Sequence, residues 1–424
     1  MGLIIVMSYA YMILLSMEIL EIDFINLIQI SLLLLILFFI NQHIFSKLQL
    51  RHSFFNIKLM NVLSLYHLVF GGIYYIYALF NRSDSVKYYN VPQNINKGWL
   101  DFLGTETTFI NFISYPFINY LGFSYEMMML LFTWIGYMGF VYAYLFFKEN
   151  IPLDVKVFKK VDLLTLILFL PNMHFWTASL GKGALIFLGL MLFGYAISKP
   201  KERVISLLLG SLLVFYIRPH IFLILAIGSF LGFLTAFGKF TWQHKSIACG
   251  VCLLSLFLLQ NSILSVVNLE NSNDLISDFI KFTSNRADSL SDSGSGLSMA
   301  GYSLPEKIFS FWFRPLFFDA PGILGIIVSI ENLIYILLFV KIMKWDFLKF
   351  IKLAPVNVKM SLALFLITSF AMTFVMSNLG IIIRQKSMIM YFIFFVIYYY
   401  LAHEKELKSR KISNTDSKQL LNAA

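Results

Sequence analysis

The sequence predicts an all-α fold, a polytopic transmembrane helical bundle with about twelve spans and with broken or re-entrant helices on its outer face. Hydrophobic residues make up 59% of the chain and charged residues only 13%, whereas a soluble domain carries about 25% charged residues. The apolar runs are long and free of charge, and they approach the roughly 20 residues with which a helix crosses a ~30 Å hydrocarbon core. A transmembrane β-barrel would instead show alternating segments of about ten residues.

The apolar runs give the order of the predicted spans along the chain. They lie at residues 3–20, 24–40, 60–80, 125–147, 161–172, 184–198, 203–218, 220–237, 247–268, 321–343, 358–378 and 385–401. The first run is interpreted as a retained anchor, because no signal-peptide cleavage pattern follows it. The stretch 109–123 contains Pro116 and polar breaks, which predict a re-entrant or interfacial segment.

Basic residues are distributed unevenly between the two sides of this map. With a cytoplasmic N-terminus, 22 of the 33 Lys and Arg residues fall in the inner segments, which are 41–59, 148–160, 199–203, 238–246, 341–359 and 402–424. The positive-inside rule therefore predicts cytoplasmic N- and C-termini, and it explains the net charge of +10 without a nucleic-acid partner. The chain then divides into a membrane domain, 1–403, with outer loops 81–124 and 269–320, and a disordered cytoplasmic tail, 404–424.

The sequence contains no recognisable motif for binding a metal or a cofactor. The two cysteines, Cys249 and Cys252, lie in an apolar run with no second pair or nearby histidine, so they are interpreted as small apolar residues. The Ser/Gly-rich stretch Ser289–Ser298 has the composition of a flexible linker and lacks the Lys-Ser/Thr pair of a phosphate-binding loop. The sequence therefore predicts neither a metal site nor a cofactor.

Unusual polar residues collect in the outer segments of the map. A basic residue inside an apolar segment costs roughly 2.5–3.5 kcal/mol, and basic residues on the outer side also oppose the positive-inside trend. Residues retained against both costs are candidates for binding an anion, and the planar fork of arginine suits phosphate oxygens. The predicted substrate-binding residues are Arg218, Arg314, Arg384, Lys386, Lys182, His174, Tyr88 and Trp176. His220 and Asp84 are the candidate catalytic groups, since either type of side chain can orient or deprotonate a hydroxyl.

Each of these assignments has a simpler alternative. Trp and Tyr form ordinary belts at membrane interfaces, and an arginine at the end of a span often extends to lipid headgroups. His174 is also interpretable as a satisfied internal polar residue. Glu331 lies inside an apolar helix, where a carboxylate needs a partner, and Arg314 is the expected one.

Five short motifs carry a resemblance to a known family. They are "DSVKYY" (Asp84–Tyr89), "HFWTASLGKGALI" (His174–Ile186), "IRPH" (Ile217–His220), "FRPLFFDA" (Phe313–Ala320) and "NLGIIIRQK" (Asn378–Lys386). In this order, across residues 80–390 or so, they resemble bacterial O-antigen and exopolysaccharide polymerases. The resemblance implies a C-type glycosyltransferase-like membrane fold. Where that family has an acidic residue after Lys182, this chain has Gly183.

The resemblance and the basic residues together predict a membrane glycosyltransferase. The expected reaction is polymerisation of polyprenyl-pyrophosphate-linked oligosaccharide repeats at the outer face of the bacterial inner membrane, in surface polysaccharide synthesis. Expected partners are the lipid-linked oligosaccharide, membrane lipids and a chain-length regulator, with no nucleic acid. Two alternatives stay open: a transferase that adds one sugar from a polyprenyl-phosphate donor, and a flippase for the same lipid-linked oligosaccharides.

Overall fold

The computed structural model of the protein describes residues 23–94, 96–151, 153–235, 302–320, 322–375 and 378–423, together with the isolated positions 246, 274 and 277. Helices dominate these residues. The strands among them are β1, Lys156–Val157, and β2, Val161–Asp162, which pair antiparallel in a small hairpin. The predicted all-α class is therefore confirmed at the level of secondary structure.

The helices vary widely in length. In chain order they are α1 (Phe24–Arg51), α2 (Ile57–Phe80), α3 (Asp84–Asn94), α4 (Thr107–Tyr115), α5 (Tyr125–Asn150), α6 (Leu163–Leu168), α7 (Pro171–Thr177), α8 (Lys182–Ile197), α9 (Val204–Ile217), α10 (Pro219–Leu234), α11 (Leu304–Phe313), α12 (Gly322–Ile342), α13 (Trp345–Leu353), α14 (Val356–Val375) and α15 (Leu379–Ala423).

Six helices of the described chain, α1, α2, α5, α12, α14 and α15, are long and apolar enough to cross a membrane. They coincide with the predicted spans 24–40, 60–80, 125–147, 321–343, 358–378 and 385–401. The agreement has a local cause, because the length and apolar content of a run are both read directly from the sequence. The protein is thus helical, with apolar helices that fit a membrane protein.

The predicted count of twelve full spans is corrected by the structure. The runs at 184–198, 203–218 and 220–237 form shorter apolar helices of 16, 14 and 16 residues, and the run at 161–172 is divided between α6 and α7, of 6 and 7 residues. A 16-residue helix extends only about 24 Å at 1.5 Å per residue, which is less than the ~30 Å hydrocarbon core. The predicted spans 3–20 and 247–268 lie outside the described residues, as do the two cysteines and the Ser/Gly-rich linker.

The predicted single membrane domain divides into two compact units. The first unit comprises Met1–Phe146 and His174–Arg218, and the second comprises Phe147–Met173 and Pro219–Ala424. In the first unit α8 packs closely on α9. A Cβ at Gly210 would lie 2.8 Å from the carbonyl oxygen of Gly189, so two facing glycines allow this approach.

Helices also build the second unit. Within it, α10, α11 and α15 all pack against α14. The small hairpin precedes α6, whose first turn is capped by Asp162, since its carboxylate accepts from the backbone N–H of Thr165 at 2.9 Å.

The predicted outer loop 81–124 is mostly helical. It contains α3, a 3₁₀ turn at Trp99–Phe102, α4 and a π-helical turn at Pro116–Tyr120. Trp99 stacks on Phe112 with ring centroids 5.2 Å apart, and its indole N–H donates to the Phe112 carbonyl at 2.9 Å. The predicted re-entrant stretch is therefore an interrupted helix, with the interruption at the proline as expected from its missing N–H.

The tail from Glu404 to Ala423, for which the sequence composition predicts disorder, forms the last part of helix α15. Helix α15 continues from its apolar part to Ala423. The apolar part supplies the helix nucleus, so that each added residue needs only propagation. Arg410 and Glu406 form an (i, i+4) ion pair at 2.6 Å, and Glu404 accepts from Lys344 at 3.1 Å, which supports the first turns of the extension.

Candidate functional site

A buried polar cluster lies inside the second unit, formed by Asn172, Glu331, Asn332, Tyr335 and Lys386. None of these side chains exceeds 4% exposure. The Lys386 ammonium donates to the Asn332 side-chain oxygen at 2.6 Å. It also donates to two backbone carbonyls, that of Arg314 at 2.8 Å and that of Trp312 at 3.4 Å. An ammonium has three N–H donors, so these acceptors satisfy Lys386 completely.

The carboxylate of Glu331 is the negative member of the buried polar cluster. It accepts from the backbone N–H of Asn172 at 2.9 Å and from the Tyr335 hydroxyl. The charges of Glu331 and Lys386 attract each other. Because two opposite charges are buried together, each offsets part of the other's desolvation cost.

Arg314 lies beside this cluster but pairs elsewhere. Its Nε–H donates to the Asp319 carboxylate, and an Nη1–H donates to the Tyr302 hydroxyl at 3.2 Å. The expected pairing of Glu331 with Arg314 is therefore wrong, because the turn after Arg314 brings Asp319 close to it. That turn is fixed by the Leu316 N–H, which donates to Asp319 Oδ1 at 2.6 Å.

The guanidinium of Arg314 keeps its charge. Burial lowers the pKa of this group, but the hydrogen bonds to Asp319 and Tyr302 outweigh burial and raise the pKa above its ordinary value. An arginine has five N–H donors, and the two bonds that the structure describes use two of them. The remaining donors suit an anionic group such as a phosphate.

Helix α11 positions Arg314, which is its C-cap residue and donates its backbone N–H to Ser310 at 3.1 Å. The helix begins with a capping box. Glu306 accepts from the Ser303 hydroxyl at 2.8 Å and from the Ser303 N–H at 2.7 Å. These hydrogen bonds from the side chain and backbone of Ser303 lower the pKa of Glu306 below its ordinary value of 4.5.

This capping box predicts a pH dependence. Because the pKa of Glu306 is lower in the folded state than in the unfolded state, the box stabilises fully above about pH 4.5 and loses its effect as pH falls through the folded-state pKa. We expect Glu306→Gln to lower the melting temperature at pH 7 and to make a smaller difference at pH 3.5, measured by thermal unfolding in mild detergent. Glu202→Gln, at an exposed glutamate outside the helices, is the control. A difference for Glu306→Gln that is equal at both pH values would contradict this assignment.

Arg384 and Lys386 share helix α15 but differ in environment. They are two residues apart, so their side chains leave the helix about 200° apart. Lys386 is fully buried, whereas Arg384 is partly exposed. Lys386 therefore belongs to the internal polar cluster and is removed from the predicted substrate-binding set, while Arg384 stays in it.

The predicted residue Lys182 belongs to the first unit. It is the first residue of α8, and its ammonium lies 3.0 Å from the carboxylate of Glu106. Glu106 precedes α4, has a positive φ of 58°, and donates its backbone N–H to the Tyr216 carbonyl at 2.6 Å. Glu106 was not predicted as this partner, because 76 residues separate the pair along the chain.

His174 is enclosed within the first unit. Its Nδ1 lies 2.8 Å from Nδ1 of His67, both side chains are fully buried, and the His174 ring stacks on Phe140 at a centroid distance of 3.9 Å. A single hydrogen bond between two Nδ1 atoms needs one donor and one acceptor. This placement supports the alternative that His174 is a satisfied internal residue. The unpredicted partner, His67, was visible as a polar residue within an apolar run.

The remaining predicted residues of the first unit occupy separate positions. Tyr88 is buried beside Gly181, and Trp176 is partly exposed with its ring edge towards Tyr74. Asp84 is exposed at the first turn of α3, where a carboxylate interacts favourably with the helix dipole.

Arg218 and His220 are neighbours in sequence but fall in different units. Arg218 is 8% exposed and is the C-cap of α9 in the first unit. His220 is the second residue of α10 in the second unit and is partly exposed. Pro219 between them begins α10, where its fixed φ and missing N–H are tolerated.

The fold and these clusters define a helical protein with apolar helices of membrane-spanning length and buried ionic groups. Within the described part of the chain, no group of three or more His, Cys, Asp or Glu residues could hold a metal ion. Comparison with known protein families, with curated proteins and with solved structures gives no match to this chain.

Proposed function

We propose that the protein is a membrane glycosyltransferase that polymerises polyprenyl-pyrophosphate-linked oligosaccharide repeats. The growing glycan on its lipid carrier is the donor, and a sugar hydroxyl of an incoming lipid-linked repeat is the acceptor. The proposal places the reaction at the outer face of the bacterial inner membrane, with both termini in the cytoplasm and with a chain-length regulator as a partner.

The observation that supports this proposal most directly is the fixed guanidinium of Arg314. Asp319 and Tyr302 hold it in one orientation, its backbone carbonyl is anchored by Lys386, and donors remain for an anion. Donors fixed before the reaction stabilise charge that develops in the transition state, because they need no reorganisation. A departing polyprenyl pyrophosphate develops such charge.

The proposed step is a displacement at the anomeric carbon of the donor sugar. The acceptor hydroxyl oxygen forms a bond to this carbon, the bond from the carbon to the pyrophosphate oxygen breaks, and the hydroxyl proton passes to a base. We assign His220 as the candidate base and Arg384 as a second cation for the pyrophosphate, because both belong to the same unit as Arg314. The helices α10 and α11 that carry His220 and precede Arg314 both pack against α14.

In the first unit, Arg218 and Lys182 remain candidate ligands for the lipid-linked substrate. The carboxylate of Glu106 lies 3.0 Å from the ammonium of Lys182 and offsets part of its charge. Asp84 is retained only as an alternative base.

Replacing Arg314 tests the proposal. We expect Arg314→Ala to abolish chain extension and Arg314→Lys to reduce it by at least tenfold, because lysine keeps the charge but lacks the planar fork. The measurement is the length distribution of lipid-linked glycan in producing cells, separated on a gel. Arg82→Ala, at an exposed arginine of the first unit, is the matched control and should leave the ladder unchanged.

The products also separate this proposal from its alternatives. Single repeats that accumulate on lipid at the outer leaflet in the Arg314→Ala strain support a polymerase. Loss of one sugar from each repeat would identify a single-sugar transferase instead. Precursor that stays on the inner leaflet would identify a flippase. A normal ladder in the Arg314→Ala strain would remove Arg314 from the site.

A further inference from the structure

A cavity of about 530 Å³ lies in the second unit between α13 and α15. Its apolar walls include Phe350, Leu353 and Leu407, and its polar lining includes Lys349 and Lys408. Neither Arg314 nor the buried polar cluster lines it, so it is separate from the candidate site. Its volume falls in the range of about 300–1,000 Å³ that is typical of small-molecule sites.

The walls of this cavity are held together by aromatic contacts. The Phe350 ring lies 5.3 Å from the rings of both Tyr400 and His403, and Phe347 packs edge-on against Tyr400 at 5.2 Å. Helix α13 therefore rests on α15 through its buried face. The cavity lies beside this contact and is lined by residues of both helices.

Helix α13 lies between two candidate membrane spans. The candidate span α12 ends at Ile342 and the candidate span α14 begins at Val356, so only two residues connect α13 to each. Its exposed face carries Trp345 at 81% exposure and Leu353 at 84%. A short helix with exposed Trp and Leu next to lysines is typical of a helix that lies in the membrane interface.

The charges around the cavity favour an anionic ligand. Residues 341–353 contain four lysines and one acid. That acid, Asp346, forms an ion pair with Lys349 at 3.1 Å, and both side chains are exposed to solvent. Exposed ion pairs are weak, so a ligand anion can replace Asp346 as the partner of Lys349. The other carboxylate of the lining, Glu404, is already neutralised by Lys344 at 3.1 Å. Lys408 is exposed and has no ion-pair partner among the residues that the structure describes.

We propose that this cavity binds one anionic phospholipid from the surrounding leaflet. The headgroup phosphate contacts Lys349 and Lys408, and the upper part of an acyl chain lies against Leu353 and Leu407. His403 borders the headgroup on the side of α15. A phospholipid fits because the cavity combines cations with apolar walls and lies beside an interfacial helix. The occupant is independent of the oligosaccharide substrate, so this proposal does not depend on the proposed function.

The test is lipid binding to the full chain in mild detergent. Delipidated protein is titrated with phosphatidylglycerol or with phosphatidylcholine of identical acyl chains, and bound lipid is counted by native mass spectrometry. We expect phosphatidylglycerol to bind at least tenfold more tightly. Each lysine near an anionic headgroup contributes about fivefold in affinity, so Lys349→Gln/Lys408→Gln should remove most of this preference. Lys87→Gln/Lys97→Gln, at two exposed lysines of the first unit, should preserve it.

A second variant separates the cavity from general surface charge. Leu407→Trp keeps every lysine but fills the cavity, and it should displace phosphatidylglycerol. Retained binding in this variant would overturn the cavity as the site. Equal binding of the two lipids, or an unchanged preference in Lys349→Gln/Lys408→Gln, would overturn the proposal itself. Displacement of the lipid by millimolar glycerol phosphate would identify a site for free phosphates instead. Unchanged melting temperatures confirm that each variant is folded.

Discussion

Replacing Lys386 by methionine is expected to lower the free energy of unfolding by about 3–5 kcal/mol. Methionine has a similar length and keeps the apolar packing of the side chain. The substitution nevertheless leaves the buried carboxylate of Glu331 without its positive neighbour. It also removes the donor from the Asn332 oxygen and from the carbonyls of Arg314 and Trp312, and each buried acceptor left without a partner costs about 1–3 kcal/mol.

A double variant identifies the source of this loss. In Lys386→Met/Glu331→Gln the buried negative charge is absent, so we expect the double variant to be more stable than Lys386→Met alone by at least about 1 kcal/mol. Chemical denaturation in mild detergent measures the free energy of unfolding of the single and of the double variant. Lys97→Met, at an exposed lysine, should change stability by less than about 0.5 kcal/mol. A cost below 1 kcal/mol for Lys386→Met would show that the buried polar cluster is not coupled as described.

Replacing Gly183 by alanine is the second substitution with a large expected effect, a loss of about 2–3 kcal/mol. A Cβ at this position would overlap the carbonyl oxygen of Trp176 and lie 3.1 Å from its carbonyl carbon. The obstacle is backbone, which cannot move aside as the end of a side chain can. Gly183→Glu should be more damaging still, because the larger side chain begins with the same overlapping Cβ.

Gly194→Ala is the matched control on the same helix, α8. A Cβ there would make ordinary contacts of 3.4 Å with the ring of Phe146. Alanine is favoured over glycine in a helix interior by about 1 kcal/mol, so this variant should be neutral or slightly stabilised. If Gly183→Ala and Gly194→Ala melt at the same temperature, the close approach of α8 to Trp176 is not a determinant of stability.

Local features of the sequence were sufficient to predict the long apolar helices. The six apolar runs that form long helices were predicted because hydropathy and run length belong to one segment and need no partner. Pro116 was a predicted break, and it marks the start of a new helical segment. The disordered tail was predicted from its polar composition, which does not take account of the apolar part of α15 that precedes it in the same helix.

The candidate site required the tertiary structure. The sequence singled out Lys386, Arg314 and His174 as costly or unusual groups, but it could not assign their partners. Asn332, Asp319 and His67 fill these roles at separations of between 5 and 107 residues along the chain.

The sequence by itself determined that this protein is helical and rich in apolar runs of membrane-spanning length. It also identified basic residues whose position within or beside apolar segments is energetically costly. The tertiary structure decided which of those residues are satisfied internally, as Lys386 and His174 are, and which keep N–H donors beyond their described hydrogen bonds, as Arg314 does. The division follows from range: hydrophobicity acts through each segment separately, whereas a hydrogen bond depends on positions within a few tenths of an ångström that only the packing of distant segments sets.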